Sequence, residues 1–137
     1  MLGDLICEER GKVTGLRVLP HEGAGPKVEV SFQAAGKILG VDENDLGTYM
    51  TIVRQHGNGV MYGQGEGVFM TQGGEAVTWS GNGVGRFMGQ GSGVSFRGVV
   101  YYPTASERFS RLNGLTGVFE YETDATGNTA LKVWEWK

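Results

Sequence analysis

The chain has 137 residues, a formal charge of −3 and a single cysteine, which suits one domain with its own core and excludes an intramolecular disulfide. Its 25 glycines are accompanied by six Phe, five Tyr, three Trp and only three Pro, a balance that excludes low-complexity disorder; the pI near 5.4 and the scattered Lys and Arg exclude the basic surface that nucleic acid requires. No apolar run approaches the roughly 20 residues that cross a bilayer, and Met1-Leu2-Gly3-Asp4 does not open a secretory signal, so a cytoplasmic protein without membrane contact is expected.

From the N-terminus, runs rich in Val, Ile, Thr, Tyr, Phe and Trp alternate with short turn signals, the pattern of hairpins rather than helices. Strands are predicted near 3–9 and 12–19, divided by Arg10-Gly11-Lys12, and then, after a turn from His21 to Pro26, near 27–39 and 46–54. His56-Gly57-Asn58-Gly59 precedes a strand at 60–71, Gln72-Gly73-Gly74 one at 75–87, and Met88 to Gly91 one at 93–102. Thr104-Ala105-Ser106-Glu107 has capping-box spacing, Asn113-Gly114 can end a helix, and Ala105, Phe109 and Leu112 share one helical face. Strands at 115–123 and 128–136, joined through Asp124 to Gly127, complete the chain. The expected fold is therefore all-β: one domain over 1–137, an antiparallel up-and-down barrel of about eight strands, with a short helix near 105–112 across one end or wall.

Turn lengths fix which side chains share a face. A two-residue turn at Asn58-Gly59 sets Ile52 opposite Gly65 and Met50 opposite Gly67. A three-residue loop at 72–74 sets Gly67 opposite Trp79, and a four-residue loop at 88–91 sets Phe96 against Gly83 and Val100 against Trp79. Thr48, Met50, Ile52, Met61, Phe69, Val77, Trp79, Phe87, Val94, Phe96, Val100 and Tyr102 then share the inner face; Gln64, Glu66, Ser80, Asn82, Arg86, Ser95 and Arg97 face solvent. Glycines 63, 65, 67 and 81, 83, 85 acquire a role as vacant positions opposite inward rings. They lie within strand patterns, so a phosphate-cradling loop is not indicated. With 124–127 as the last loop, Gly117 faces Trp134, and Leu115, Phe119, Tyr121, Ala130 and Trp136 join them.

Lys132 falls on that same apolar face, where desolvation lowers a lysine pKa and a ligand carboxylate could be held. A last loop that differs in length by one residue turns Lys132 outward and brings Leu131 and Val133 in. Arg54, Tyr102 and Tyr121 could add donors to an aromatic interior suited to an amphipathic ligand. The candidate ligand-binding residues are Trp79, Phe96, Tyr102, Tyr121, Lys132 and Trp134. Glu66, Asn82, Arg86 and Arg97, like Glu120, Glu122 and Glu135, read as ordinary cross-strand pairs on a wet face, so no catalytic residue is assigned. Cys7 reads as a half-buried strand residue. His21 and His56 lie in turns without companion ligands, and neither a metal nor a cofactor is expected.

The run Gly63-Gln64-Gly65-Glu66-Gly67, then Gly81-Asn82-Gly83-Val84-Gly85, then Phe96-Arg97-Gly98-Val99-Val100-Tyr101-Tyr102 resembles the glycine-alternating hairpins of allene-oxide-cyclase-like barrels, a group that includes uncharacterised bacterial proteins. The resemblance covers roughly 27–137. It implies an eight-stranded calycin-like barrel with an apolar cavity, assembled as a dimer or trimer, and carries over no catalytic position. Three functions follow as expectations: binding of a small apolar or fatty-acid-like ligand in the lumen, an isomerase or cyclase acting on such a molecule, and a filled barrel serving as a structural or oligomerisation module.

Overall fold

Eight antiparallel strands follow one another in sequence order around a closed barrel; the structure, a computed structural model, describes residues 1–20, 25–54, 58–89 and 93–137. The strands are β1 (Leu2–Leu19), β2 (Lys27–Ile38), β3 (Val41–Val53), β4 (Val60–Met70), β5 (Ala76–Phe87), β6 (Val94–Tyr101), β7 (Thr116–Thr123) and β8 (Asn128–Trp136). β1 closes the barrel, since Leu2–Lys12 pairs with β8 while Cys7–Leu19 pairs with β2. Among the described residues no helix is long and apolar enough to cross a membrane.

Two expected boundaries move. Arg10-Gly11-Lys12 is not a turn, and β1 runs through it. Gly11 faces Ala34 of β2 so closely that a Cβ would stand 2.7 Å from the Ala34 Cβ, so its glycine serves strand contact rather than chain reversal. β3 begins at Val41 instead of 46, because Leu39 and Gly40 adopt φ of 48° and 79° and form a two-residue turn between the paired Ile38 and Val41.

Three registers decide the inner face. Asn58 and Gly59 do take positive φ, 50° and 81°, but they end a longer connection in which the Arg54 N–H donates to the Val60 carbonyl at 2.9 Å. The odd shift from the expected pairing turns β3 over. Gly47 lies opposite Gly67 and Tyr49 opposite Gly65, so Asp45, Gly47, Tyr49 and Thr51 point inward and Thr48, Met50 and Ile52 point outward. The β4–β5 pairing is as read, with Gly67 opposite Trp79. β6 slides by an even step, which preserves its face and places Phe96 opposite Gly85 and Val100 opposite Gly81. The last loop spans only 125–127: the Asp124 N–H donates to the Asn128 carbonyl at 3.0 Å and Gly127 takes φ of 86°, the same form as the loop before Glu75, where Gly74 also has φ of 86°. That odd shift pairs Val118 with Trp134 and Glu120 with Lys132. Thr129, Leu131 and Val133 point inward; Ala130, Lys132, Trp134 and Trp136 point outward.

The predicted helix is shorter and tighter than expected, a single 3₁₀ turn over Ser110–Gly114. The Thr104 hydroxyl accepts from the Ser106 N–H at 3.0 Å, and the Asn113 amide bridges the Thr104 N–H and carbonyl at 2.8 Å each. These bonds use the capping residues to clip an irregular segment to itself. Ala105 is exposed, but Phe109 and Leu112 are buried and seal one barrel end, Phe109 meeting Phe69 edge-on at 5.3 Å between centroids.

Within the lumen, rings lie across glycines. An ideal Cβ on Gly47 would stand 2.5 Å from the Phe32 ring and 2.6 Å from the Trp79 indole, and one on Gly85 would stand 2.5 Å from Phe96. Gly47→Ala should therefore cost about 1–3 kcal/mol by overpacking. Gly15→Ala, with nothing within 4 Å of the added methyl, should stay within ~0.5 kcal/mol of the parent. Urea unfolding of both variants checks the contrast, and equal stabilities would remove the packing role.

Candidate functional site

Three carboxyls meet inside the barrel. Glu9 on β1 and Glu43 and Asp45 on β3 are separated by β2, whose residues at these levels are Gly36, opposite both Glu9 and Glu43, and Ala34, opposite Asp45. Those small residues let side chains from β1 and β3 come together over β2. Glu9, Glu43 and Asp45 are 4%, 3% and 3% exposed. Glu9 touches both other carboxyls, the Trp79 Nε1–H donates to Asp45 Oδ1 at 2.7 Å, and the Cys7 thiol lies 3.7 Å from Glu9 Oε2. Among the described residues no N–H or hydroxyl reaches Glu9 Oε1 or either oxygen of Glu43.

Burial without a counter-cation disfavours the charged form. Desolvation, reinforced by Asp45 and Glu43, pushes the Glu9 carboxyl up to about 11. Desolvation likewise raises Glu43 and Asp45, with Trp79 partly restraining Asp45. With its pKa raised that far by burial among other acids, Glu9 keeps its proton at neutral pH. Cys7, Tyr49, Tyr102 and Tyr121 are also raised, chiefly by burial, which leaves Cys7 an inert thiol rather than a nucleophile. The Cys7 sulfur and the nearest oxygens of Glu9 and Glu43 lie within 4.8 Å of one another; a metal held there would have to displace their protons.

A cavity of about 80 Å³ adjoins Glu9 and Asp45. Trp79, Phe96, Tyr102 and Tyr121 line it as expected from the sequence, and Phe32, Tyr49, Phe119 and Leu131 add to its walls. Phe32 stacks obliquely near Tyr49, Trp79 and Tyr121 at 6.0, 6.2 and 5.7 Å between centroids. Lys132 and Trp134 do not reach it. Both stand on the outer wall because of the shorter last loop, and Lys132 approaches Glu8 at 3.9 Å. Arg54 is exposed. Gln64, Glu66, Asn82, Arg86 and Arg97 project outward, where Arg97 pairs with Glu120 at 3.8 Å and a polar hollow of about 440 Å³ includes Gln64, Glu66 and Asn82. His21 and His56 lie outside the described residues. The site residues missed by the sequence reading are Glu9, Glu43, Asp45, Phe32 and Tyr49. Glu9 adjoined an apparent turn, and Asp42-Glu43-Asn44-Asp45 is polar on both faces, so no alternation marks two of its members as internal.

No protein-family model and no curated protein matches the chain. Solved structures match over nearly the whole length at 14% identity: a conserved protein of unknown function from Rhodopseudomonas palustris, TM-score 0.82, covering 98% of this chain and 97% of that one; a protein of unknown function from Clostridium acetobutylicum, TM-score 0.82, covering 96% of each; and a β-barrel-like protein from Acinetobacter baumannii, TM-score 0.77, covering 98% and 96%. The likeness establishes a shared eight-stranded barrel. None of the three is described as an allene oxide cyclase or a calycin.

The carboxyls give folding an unusual pH dependence. Glu9 binds its proton more tightly folded, at about 11, than unfolded, near the ordinary 4.5. Its contribution is therefore complete below the unfolded value and is lost as pH rises from there toward the folded one, by at most about 1.4 kcal/mol per pH unit for one proton. Melting temperature should fall between about pH 5 and pH 9, and Glu9→Gln should flatten the slope by raising stability at the alkaline end. Thermal melts across that range would refute it by showing a parent profile that is flat or rising.

Proposed function

We propose that the barrel binds a small molecule in its lumen, apolar over most of its surface and carrying a hydrogen-bond donor at one end. The observation that supports this reading is a lumenal cavity lined mostly by rings, aliphatic side chains and glycines, with Glu9 and Asp45 as its acidic residues and Gln64 and Asn82 also bordering it. Buried oxygens without donors cost about 1–3 kcal/mol each, and a donor brought by a ligand would recover part of that.

Size and polarity narrow the class. A cavity of 80 Å³ has room for about five water-sized groups, well below the ~300–1,000 Å³ of pockets that enclose drug-sized ligands. A fatty-acid chain is poorly matched, as is the flexible substrate a cyclase would confine. The polar wall is acidic and Lys132 is outside, so an anionic head group finds no basic partner there.

Thermal shift with a panel of neutral, cationic and anionic compounds of about five heavy atoms tests the reading. A ligand at about a hundred times its Kd adds ~2.7 kcal/mol, several degrees in Tm. Leu131→Phe, which fills the cavity from β8, should abolish the shift. A panel without any hit, together with a bare chain mass in native mass spectrometry, would leave a filled structural barrel instead.

A further inference from the structure

We propose that the lumen is a receptor for a small organic cation, an ammonium bearing short alkyl groups, with its charge on the Glu9 and Asp45 carboxyls and its alkyl groups against Trp79, Phe32 and Tyr49. This rests on the lumen being a binding site and names the chemical class that the site selects.

Three independent features converge. First, none of the seven ion pairs among the described residues involves Glu9, Glu43 or Asp45, so the acidic wall has no resident cation. Glu9, which lines the cavity, has its Oε1 buried without a donor among the described residues, and both oxygens of the neighbouring Glu43 are buried in the same way. Second, the cavity beside the acids is walled by aromatic faces, which attract a cation through their quadrupoles and form the usual surroundings of quaternary ammonium ligands. Third, Tyr121 on β7, four strands around the barrel from β3, lines the same cavity, and its hydroxyl is buried beside Tyr49 without a hydrogen-bond partner of good geometry among the described residues.

Binding exchanges protons for the cation. Releasing a proton leaves a buried carboxylate, and the ammonium supplies the opposite charge that makes this ionised form tolerable in a desolvated site. The groups that face Glu9 are Cys7 from its own strand, Glu43 and Asp45 from β3, and Tyr121 from β7, with Tyr102 and Tyr49 in the same interior. From β2, β4, β5 and β8 the inward side chains at this level are Phe32, Ala34, Phe69, Trp79, Leu131 and Val133, none of which titrates. The carboxyls are thus the groups that release the proton, and affinity should rise with pH.

The test is calorimetric titration of the full chain with tetramethylammonium and with its near-isostere tert-butanol, at about pH 6 and pH 8, in buffers of differing ionisation enthalpy. Expected are at least about tenfold tighter binding of tetramethylammonium at the higher pH, release of up to one proton per ligand, and affinity rising by up to about tenfold per pH unit. Glu9→Gln and Asp45→Asn should lose the preference for the cation while still binding tert-butanol, which reports that the lumen is intact; Trp79→Phe should weaken both ligands. Binding of tert-butanol as tight as tetramethylammonium, without proton release, would overturn the cation proposal and leave the lumen as a neutral-ligand site. Uptake of calcium or zinc that tetramethylammonium does not displace would also overturn it. Failure of both organic probes would remove the cation proposal and the lumenal reading together.

Discussion

The barrel depends on rings lying flat over strand positions that have no side chain. Trp79 leaves β5 and reaches Asp45 on β3, and it can do so because the intervening positions are Gly67 and Gly47. Phe96 lies similarly over Gly85 and Gly63. In so narrow a cylinder, a ring and an opposing Cβ would compete for the same volume. Glycine therefore acts here as space rather than as flexibility, and it determines where aromatic area can be placed.

The indole also ties the apolar packing to the acidic wall. Among the described residues its N–H is the one side-chain nitrogen that donates into the trio, and through it the position of Asp45 is coupled to the ring layer formed by Phe32 and Trp79. A buried polar network with too few donors does not improve folding; replacing it with apolar residues of similar volume is often neutral or favourable. Barrel closure needs no carboxyl at these positions. Conflict of this kind between local chemistry and the general demands of a core is commonest where a protein does its work, which is the physical basis for looking for function at Glu9, Glu43 and Asp45.

The outer wall shows the opposite economy. Arg97 with Glu120 and Lys37 with Asp42 are exposed pairs, each worth little in water. Lys132 joins this class. Its apparent interest in the sequence came from an odd-numbered register error, since a strand shifted by one residue exchanges its whole inward set for its outward one. Tyr49 was hidden by the same arithmetic at the Asn58-Gly59 connection, whereas Asp45 lay before the predicted start of its strand.

The sequence by itself determined the hairpin succession, the all-β barrel class, the β4–β5 register with Gly67 under Trp79, and the inward direction of Phe96, Tyr102 and Tyr121, because turn chemistry and period-two alternation are local properties. Only the tertiary structure decided that β1 runs unbroken through Gly11, that β3 and β8 turn their other faces inward, and that Glu9 meets Glu43 and Asp45 across Gly36. Those outcomes depend on loop conformation and on strands paired across the closed sheet, and a buried acid differs from a solvated one only in what surrounds it.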